Sequence, residues 1–563
     1  MNSQRRLRNA GRGTYSGSGQ AGRPLERTVS ASTSAPASRS LKARNLLALA
    51  LALSLPLASA QSVRQTTLVM GGDFSDLITL DPGVSYEFSG SLITGNLYDT
   101  LVGFEGNDLS KVRPRLASNW KVTPTATGSQ ISFTLRNAKF STGRPVTAAD
   151  VVYSMDRVIS LKSPSSFLLT DVANLKIGSV TAPNANTVVF SIPKTANPNI
   201  VLALLTFNVG GIVDSSEAKA HEQNGDFGSA WLRDHSAGSG PFMLNRWDRS
   251  AQVALDSNPN AFRRSINIKR VILRYMLEAS AQQTALNSGE IDVAWDYTPD
   301  AFNAALNNPK LKALKASTFQ MAYLGMNSAK GQPFEDPRLR EAVRYAIDQD
   351  GIIKSLLQGL GRKVQTIVPL GLAGSNSALP YAYDPAKAKA LLAAAGKPNG
   401  FDVDFLVSTG ACSGGVPCQD LAAKIQSDLA KVGIRANIKQ MVNAELLTAY
   451  RAQKAALIQV GWSPDYPDAD GNGTPLADYN ARSLAWRNGW NNPQASKLAQ
   501  SAAVEVDQAK RVALYKQLTE LVVKEGPYAI LYQPYKPIVT ASNVSGFVRN
   551  ANGDVQFEKI AKK

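Results

Sequence analysis

Two histidines and two cysteines in 563 residues remove most catalytic and metal chemistry before any motif is read. His221 and His235 are the whole supply of imidazole, and His221-Glu222 lacks a second histidine at the spacing of a helical zinc site. Cys412 and Cys418 have no nearby histidine with which to complete a tetrahedral metal site. No G-x-S-x-G occurs, so a nucleophile elbow has no candidate. Carboxylate pairs exist, but none is singled out as an acid with its base. Asp468-x-Asp470-x-Asn472-Gly473 imitates the start of a calcium loop, yet its twelfth position is Tyr479 where a bidentate Glu is required. The expectation is a chain with no catalytic residues, no metal and no cofactor.

Long apolar runs are missing too. The run Leu46–Leu57 is too short to span a bilayer. It is preceded by the basic Leu41–Asn45 and followed by Ala58-Ser59-Ala60, the layout of a secretory signal peptide over residues 41–60. Cleavage is expected after Ala60, which places the mature chain, from Gln61, in the periplasm or another extracytoplasmic space. Residues 1–40 are rich in Ser, Arg, Gly, Ala and Thr without apolar periodicity, and are expected to be a disordered prefix; translation from Leu41 would remove it. The formal net charge is +17, of which the first sixty residues carry +8, leaving +9 spread thinly over the mature chain. No basic cluster is interleaved with aromatics, so no nucleic-acid partner is expected. In an exported chain, Cys412 and Cys418 read as a local disulfide closing a Gly/Pro loop. Neither lies at the cleavage site, which excludes a lipid-anchored N-terminal cysteine.

What the sequence does contain centres on Gly461–Asp470, G-W-S-P-D-Y-P-D-A-D. The apolar run Ala455–Val460 before it reads as a short strand, and the Gly-, Asn- and Pro-rich stretch after it as a loop. Trp462, three residues before Asp465, could hold an organic ligand against a flat apolar face while the carboxylate takes a cationic end. An acid-rich turn with an aromatic is also common as plain loop structure, and at this level both readings stand.

Upstream, L-D-P stands at Leu80–Pro82, L-Y-D-T-L at Leu97–Leu101 and R-P-R-L-A-S-N-W at Arg113–Trp120. A strand is predicted from Thr67 and another over Gln130–Leu135, where Ile131, Phe133 and Leu135 alternate with polar residues. Thr147 and Asp150 are spaced as a capping box opening a helix through V-V-Y-S-M-D-R. Downstream come G-S-G-P-F (Gly238–Phe242), N-S-G-E-I-D-V-A (Asn287–Ala294), G-M-N (Gly325–Asn327), F-E-D-P-R-L-R-E-A-V-R-Y-A-I-D (Phe334–Asp348), R-V-A-L-Y-K-Q-L (Arg511–Leu518) and P-Y-A-I-L-Y (Pro527–Tyr532).

In this order, the motifs resemble the family 5 solute-binding proteins, the peptide, dipeptide and nickel receptors of ABC importers, over roughly Leu68 to Phe547. Phe140-Ser141-Thr142-Gly143 departs from the F-H-D-G often found in the family, and Ser496 stands where an Asp is common. The resemblance implies an α/β, two-lobed periplasmic-binding-protein fold, class II-like, with two crossing strands as the hinge. By family position, lobe I is residues 61–324 plus 531–563 with an accessory subdomain at about 105–210, and lobe II is residues 325–530. The crossovers would lie near Ala322–Asn327 and Ala529–Tyr535. The implied function is peptide binding between the lobes and delivery to the membrane permease subunits of an ABC transporter, as a monomer. The same scaffold could instead hold an oligosaccharide, with Trp486 and Trp490 as platforms, a nickel chelate or an opine-like solute. The implied site is Asp465, which pairs with the ligand's N-terminal ammonium, and Trp462, with Gly461 and Ser463 beside them and Tyr86 and Phe88 facing them from lobe I.

Overall fold

The computed structural model describes residues 64–563; the expected prefix, signal segment and cleavage point lie outside the described residues. Two large sheets organise them. The first has seven strands in the spatial order 311–316, 536–541, 293–294, 67–72, 270–275, 252–257 and 242–248. Its central strand, Thr67–Gly72, is buried along its whole length and pairs in parallel with Arg270–Tyr275 and Val293–Ala294. A strand covered on both faces reads as a near-continuous apolar run, which is why T-L-V-M-G-G does not alternate.

The second sheet has six strands in the order 361–362, 528–534, 321–326, 457–462, 401–408 and 434–441. Phe401–Ser408 pairs in parallel with Ile434–Met441 on one side and with Leu457–Trp462 on the other. Parallel neighbours need long crossover connections, supplied here by the helices Cys418–Ala430 and Asn443–Arg451. The carboxyl ends of all three strands therefore fall on one edge, the position at which open α/β sheets leave a ligand crevice.

The chain passes between the two sheets twice, through residues 317–320 and at Tyr535. Met321–Met326 and Tyr528–Pro534 lie wholly in the second sheet, so divisions at 324/325 and 530/531 fall inside its strands. A four-stranded antiparallel sheet, 117–125, 128–135, 187–193 and 180–184 in spatial order, forms a separate layer with its own core. There Ile131, Phe133 and Leu135 are buried as their alternation requires. The helix Ala148–Leu161 opens with Thr147 and Asp150 in the expected reciprocal cap. It then places Arg157 in a two-bonded ion pair with Asp81 of the L-D-P motif, 2.7 and 2.5 Å, both side chains fully buried. Two motifs distant in sequence are thus one structural unit. No helix among the described residues is long and apolar enough to cross a membrane.

Candidate functional site

The strand expected over Ala455–Val460 is found at Leu457–Trp462. Gly461 and Trp462 belong to it because they pair with Ala322 and Met321 of the neighbouring antiparallel strand. Gly461 is exposed and has no room for a side chain on its inner face, where a Cβ would meet Ser413 Oγ at 2.5 Å. Ser413 belongs to the loop closed by the Cys412–Cys418 disulfide. That loop is tied to the sheet by Gln459, which donates to Cys412 Sγ at 2.8 Å and to the Cys418 carbonyl at 3.2 Å, and by Tyr532, whose hydroxyl donates to the Ser413 carbonyl at 2.8 Å.

The stretch after the strand differs from expectation. In place of a loop, Asp470–Ala477 is a short helix with Pro475 inside it. Composition alone favours a loop, but Asp470 closes the first turn by accepting the Thr474 hydroxyl at 2.6 Å. Proline has no N–H, so the carbonyl four residues before it, Gly471, loses its helical donor. Trp462 Nε1–H takes that place and donates to Gly471 O at 2.9 Å. The half-buried indole is thereby fixed at the end of its strand by a defect in the next helix.

Three acids follow Trp462, and their surroundings separate their roles. Asp468 receives two bonds from Arg511, at 2.8 and 2.6 Å, locking the segment to the helix Gln508–Glu525. Asp470 is fully buried among hydroxyls, accepting from Tyr466 at 2.6 Å and Tyr515 at 3.2 Å, and burial raises its pKa. Asp465 alone faces lobe I. Tyr86 Oη donates to its Oδ1 at 2.5 Å, and among the described residues no Lys, Arg or His nitrogen lies within 4.0 Å of it. Burial pushes the Asp465 carboxyl above the ordinary carboxylate range, with the Tyr86 hydrogen bond pulling the other way. Burial and the Asp465 charge hold the Tyr86 hydroxyl protonated, so it remains a donor.

Tyr86 stands edge-on to Phe167 and Phe207, with ring centres 6.3 and 6.4 Å away. Neither phenylalanine is signalled by sequence spacing; they meet only through the fold. Tyr466 also crosses over, packing into the core of the four-stranded layer. Asn197 donates to the Glu505 carbonyl at 2.6 Å. The two lobes therefore touch at Tyr86–Asp465, at Tyr466 and at Asn197–Glu505. Ser463 is half-buried beside Trp462, whereas Phe88, 67% exposed at the start of the helix Phe88–Leu97, is not part of the Tyr86–Asp465 pair.

Trp486 and Trp490 are already covered. Trp490 lies in the lobe II core, and Trp486 packs against Tyr479 and under the Arg482 guanidinium at 3.8 Å. His221 and His235 both stack on Trp231, with ring centres at 4.3 and 4.6 Å. Among the described residues no group of three or more His, Cys, Asp or Glu is placed to hold a metal ion. A pocket beneath Tyr528–Ile530 lies within lobe II and is lined by none of the residues that touch Asp465. An open chamber of about 610 Å³ lies in lobe I beside Phe207.

Two α/β lobes, linked twice and meeting over a carboxylate at the edge of a parallel strand set, are the architecture of a two-lobed solute-binding protein. The chain belongs to the bacterial extracellular solute-binding proteins, family 5 (Middle), whose model matches residues 111–482. It is 29% identical to the probable D,D-dipeptide-binding periplasmic protein of Escherichia coli K12, over 90% of this chain and 95% of that one. It is 27% identical to di/tripeptide-binding protein 2 of Pseudomonas aeruginosa, over 82% and 89%. Its fold superposes on the ABC transporter-associated periplasmic binding protein of Helicobacter pylori in complex with the peptide STSA. The TM-score is 0.73 at 25% identity, covering 90% of this chain and 99% of that one.

Proposed function

We propose that this chain is the extracytoplasmic binding component of an ABC importer. In this reading it closes over a short peptide and hands it to a membrane permease. The observation that carries it is Asp465: a carboxylate held out of water at the meeting of two lobes, with a hydroxyl for company and no cation beside it among the described residues. A desolvated charge without a partner is costly, and a ligand ammonium supplies the missing counter-charge. Trp462, fixed by Gly471, offers its face to the first part of the ligand, with Gly461 and Ser463 at the strand end. An extended peptide backbone can pair with main-chain groups and so be held without its sequence being read. Closure turns on the two passages at 317–320 and Tyr535. The relatives named for dipeptides and tripeptides support short peptides as the cargo.

The protein acts as a periplasmic monomer after removal of its signal peptide, with no catalytic step and no nucleic-acid partner. A thermal-shift screen of di- to pentapeptides against cello-oligosaccharides and nickel–histidine tests this. Short peptides raise the melting temperature; a rise with the sugars or the chelate alone contradicts the reading.

A further inference from the structure

The loop closed by Cys412 and Cys418 carries a polar group that neither the fold nor the amine anchor uses. Ser413 is nine-tenths buried. Its carbonyl accepts from Tyr532, but its hydroxyl makes no hydrogen bond among the described residues. Buried hydroxyls are as a rule paired, and one left without a partner calls for an explanation.

The position of the loop supplies one. It continues from the carboxyl end of the strand Phe401–Ser408, on the edge where the parallel strands leave a ligand crevice. Ser413 Oγ lies against the inner side of Gly461, where a Cβ would be 2.5 Å from it. Gly461 stands next to Trp462 and four residues before Asp465. The unpaired hydroxyl is therefore held at the same strand end as the proposed amine anchor.

The loop is fixed there from two sides. Gln459 ties it to the strand that carries Trp462. Gly414, at φ +90°, brings its Cα against Leu357 and Pro534, which a Cβ would meet at 2.8 and 3.1 Å. Pro534 ends the crossover strand Tyr528–Pro534, immediately before the passage between lobes at Tyr535. Within the loop, Cys412 N–H donates to Val416 O at 2.8 Å, Gly415 N–H to Cys412 O at 2.9 Å and Cys418 N–H to Gly410 O at 3.0 Å. These bonds keep the loop turned without the disulfide, and the covalent link removes the remaining freedom of Ser413 to leave Gly461.

We propose that Ser413 is a ligand-binding residue: its hydroxyl pairs with a main-chain group of the bound peptide beside Gly461, and the Cys412–Cys418 bond positions it. The inference rests on the peptide reading above. A serine hydroxyl both donates and accepts, so it suits a peptide N–H or carbonyl alike and holds the backbone without reading side chains.

Titration calorimetry with trialanine decides it, on the mature chain as wild type, Ser413→Ala, the disulfide-free variant Cys412→Ala with Cys418→Ala, and all three substitutions together. Ser413→Ala should weaken binding about fivefold, the scale of one hydrogen bond, with melting unchanged or higher because an unpaired buried hydroxyl is gone. The disulfide-free variant should lose at least as much affinity. Adding Ser413→Ala to it should cost less than about twofold more, a non-additivity that a general loosening of lobe II would not produce. Ser413→Ala keeps the disulfide, so it tests the contact even where the cysteine variant does not fold. Trialanine bound by Ser413→Ala as tightly as by wild type overturns this inference alone, and fully additive losses overturn the role given to the disulfide. Wild type that binds no peptide in the thermal-shift screen overturns the peptide reading itself, so the two failures are seen separately.

Discussion

Tyr86 and Asp465 are 379 positions apart in the chain, belong to different lobes, and share a 2.5 Å hydrogen bond. The hydroxyl occupies Oδ1. A carboxylate has about four acceptor sites, so Oδ2 remains available to an ammonium without displacing the tyrosine. Tyr86 thus orients the acid and joins the lobes without supplying a counter-charge. An arginine in its place would satisfy the acid permanently and close the site to amines.

The titration of Asp465 gives the first prediction. Its pKa in the free protein is raised by burial, so the folded chain holds that proton more tightly than the unfolded chain. Stability from this group is therefore present at low pH and lost as pH rises through the raised pKa. A bound ammonium reverses the balance by favouring the charged carboxylate. Peptide affinity should rise between about pH 4 and pH 7, with proton release seen as a buffer-dependent enthalpy. Asp465→Asn should lose both effects; a wild type whose affinity is flat over this range would contradict the assignment.

Pro475 makes a prediction in which stability and binding move apart. Pro475→Ala supplies an N–H that can reach Gly471 O and compete with Trp462 Nε1. The helix should be no less stable, and melting should be unchanged or higher. The indole loses its tether, and peptide affinity should fall by roughly 1 kcal/mol, the scale of one hydrogen bond. Tryptophan fluorescence and calorimetry on the same sample check this; lowered melting with unchanged affinity would show that Pro475 serves only the local fold.

The Arg511–Asp468 pair should matter to stability more than to recognition. Asp468→Asn leaves a guanidinium buried without its counter-ion, which commonly costs about 3–5 kcal/mol. Denaturant unfolding should show this loss, and replacing both partners together, Asp468→Asn with Arg511→Met, should recover much of it. A single variant as stable as wild type would mean that the loop is held elsewhere.

The sequence made the acid visible because W-S-P-D is a compact local pattern at a strand end, within reach of spacing arguments. The same local reasoning misplaced the strand by two residues, since the pairing of Gly461 and Trp462 is set by Ala322 and Met321. It also missed the helix Asp470–Ala477, because two glycines, an asparagine and a proline outweigh one Asp–Thr hydrogen bond on composition. Phe167 and Phe207 around Tyr86, and Ser413 over Gly461, were illegible for a different reason: each contact joins segments that only the tertiary fold brings together. The ordered motifs, by contrast, pointed to the two-lobed fold, though the divisions read from them at 324/325 and 530/531 cut strands that lie wholly in the second sheet. Pairs such as Asp81 and Arg157 are distant in sequence but fixed as one buried unit.

The central claim is that Asp465 takes the ligand's amino terminus, and one calorimetric comparison tests it most directly. Free and N-acetylated forms of the same short peptide are titrated into wild type and Asp465→Asn. The account predicts that acetylation weakens wild-type binding by about 2–3 kcal/mol or more, and that Asp465→Asn weakens the free peptide by a similar amount. The variant should then bind both forms alike. If Asp465→Asn binds the free peptide as tightly as wild type, the anchor lies elsewhere and the account is wrong.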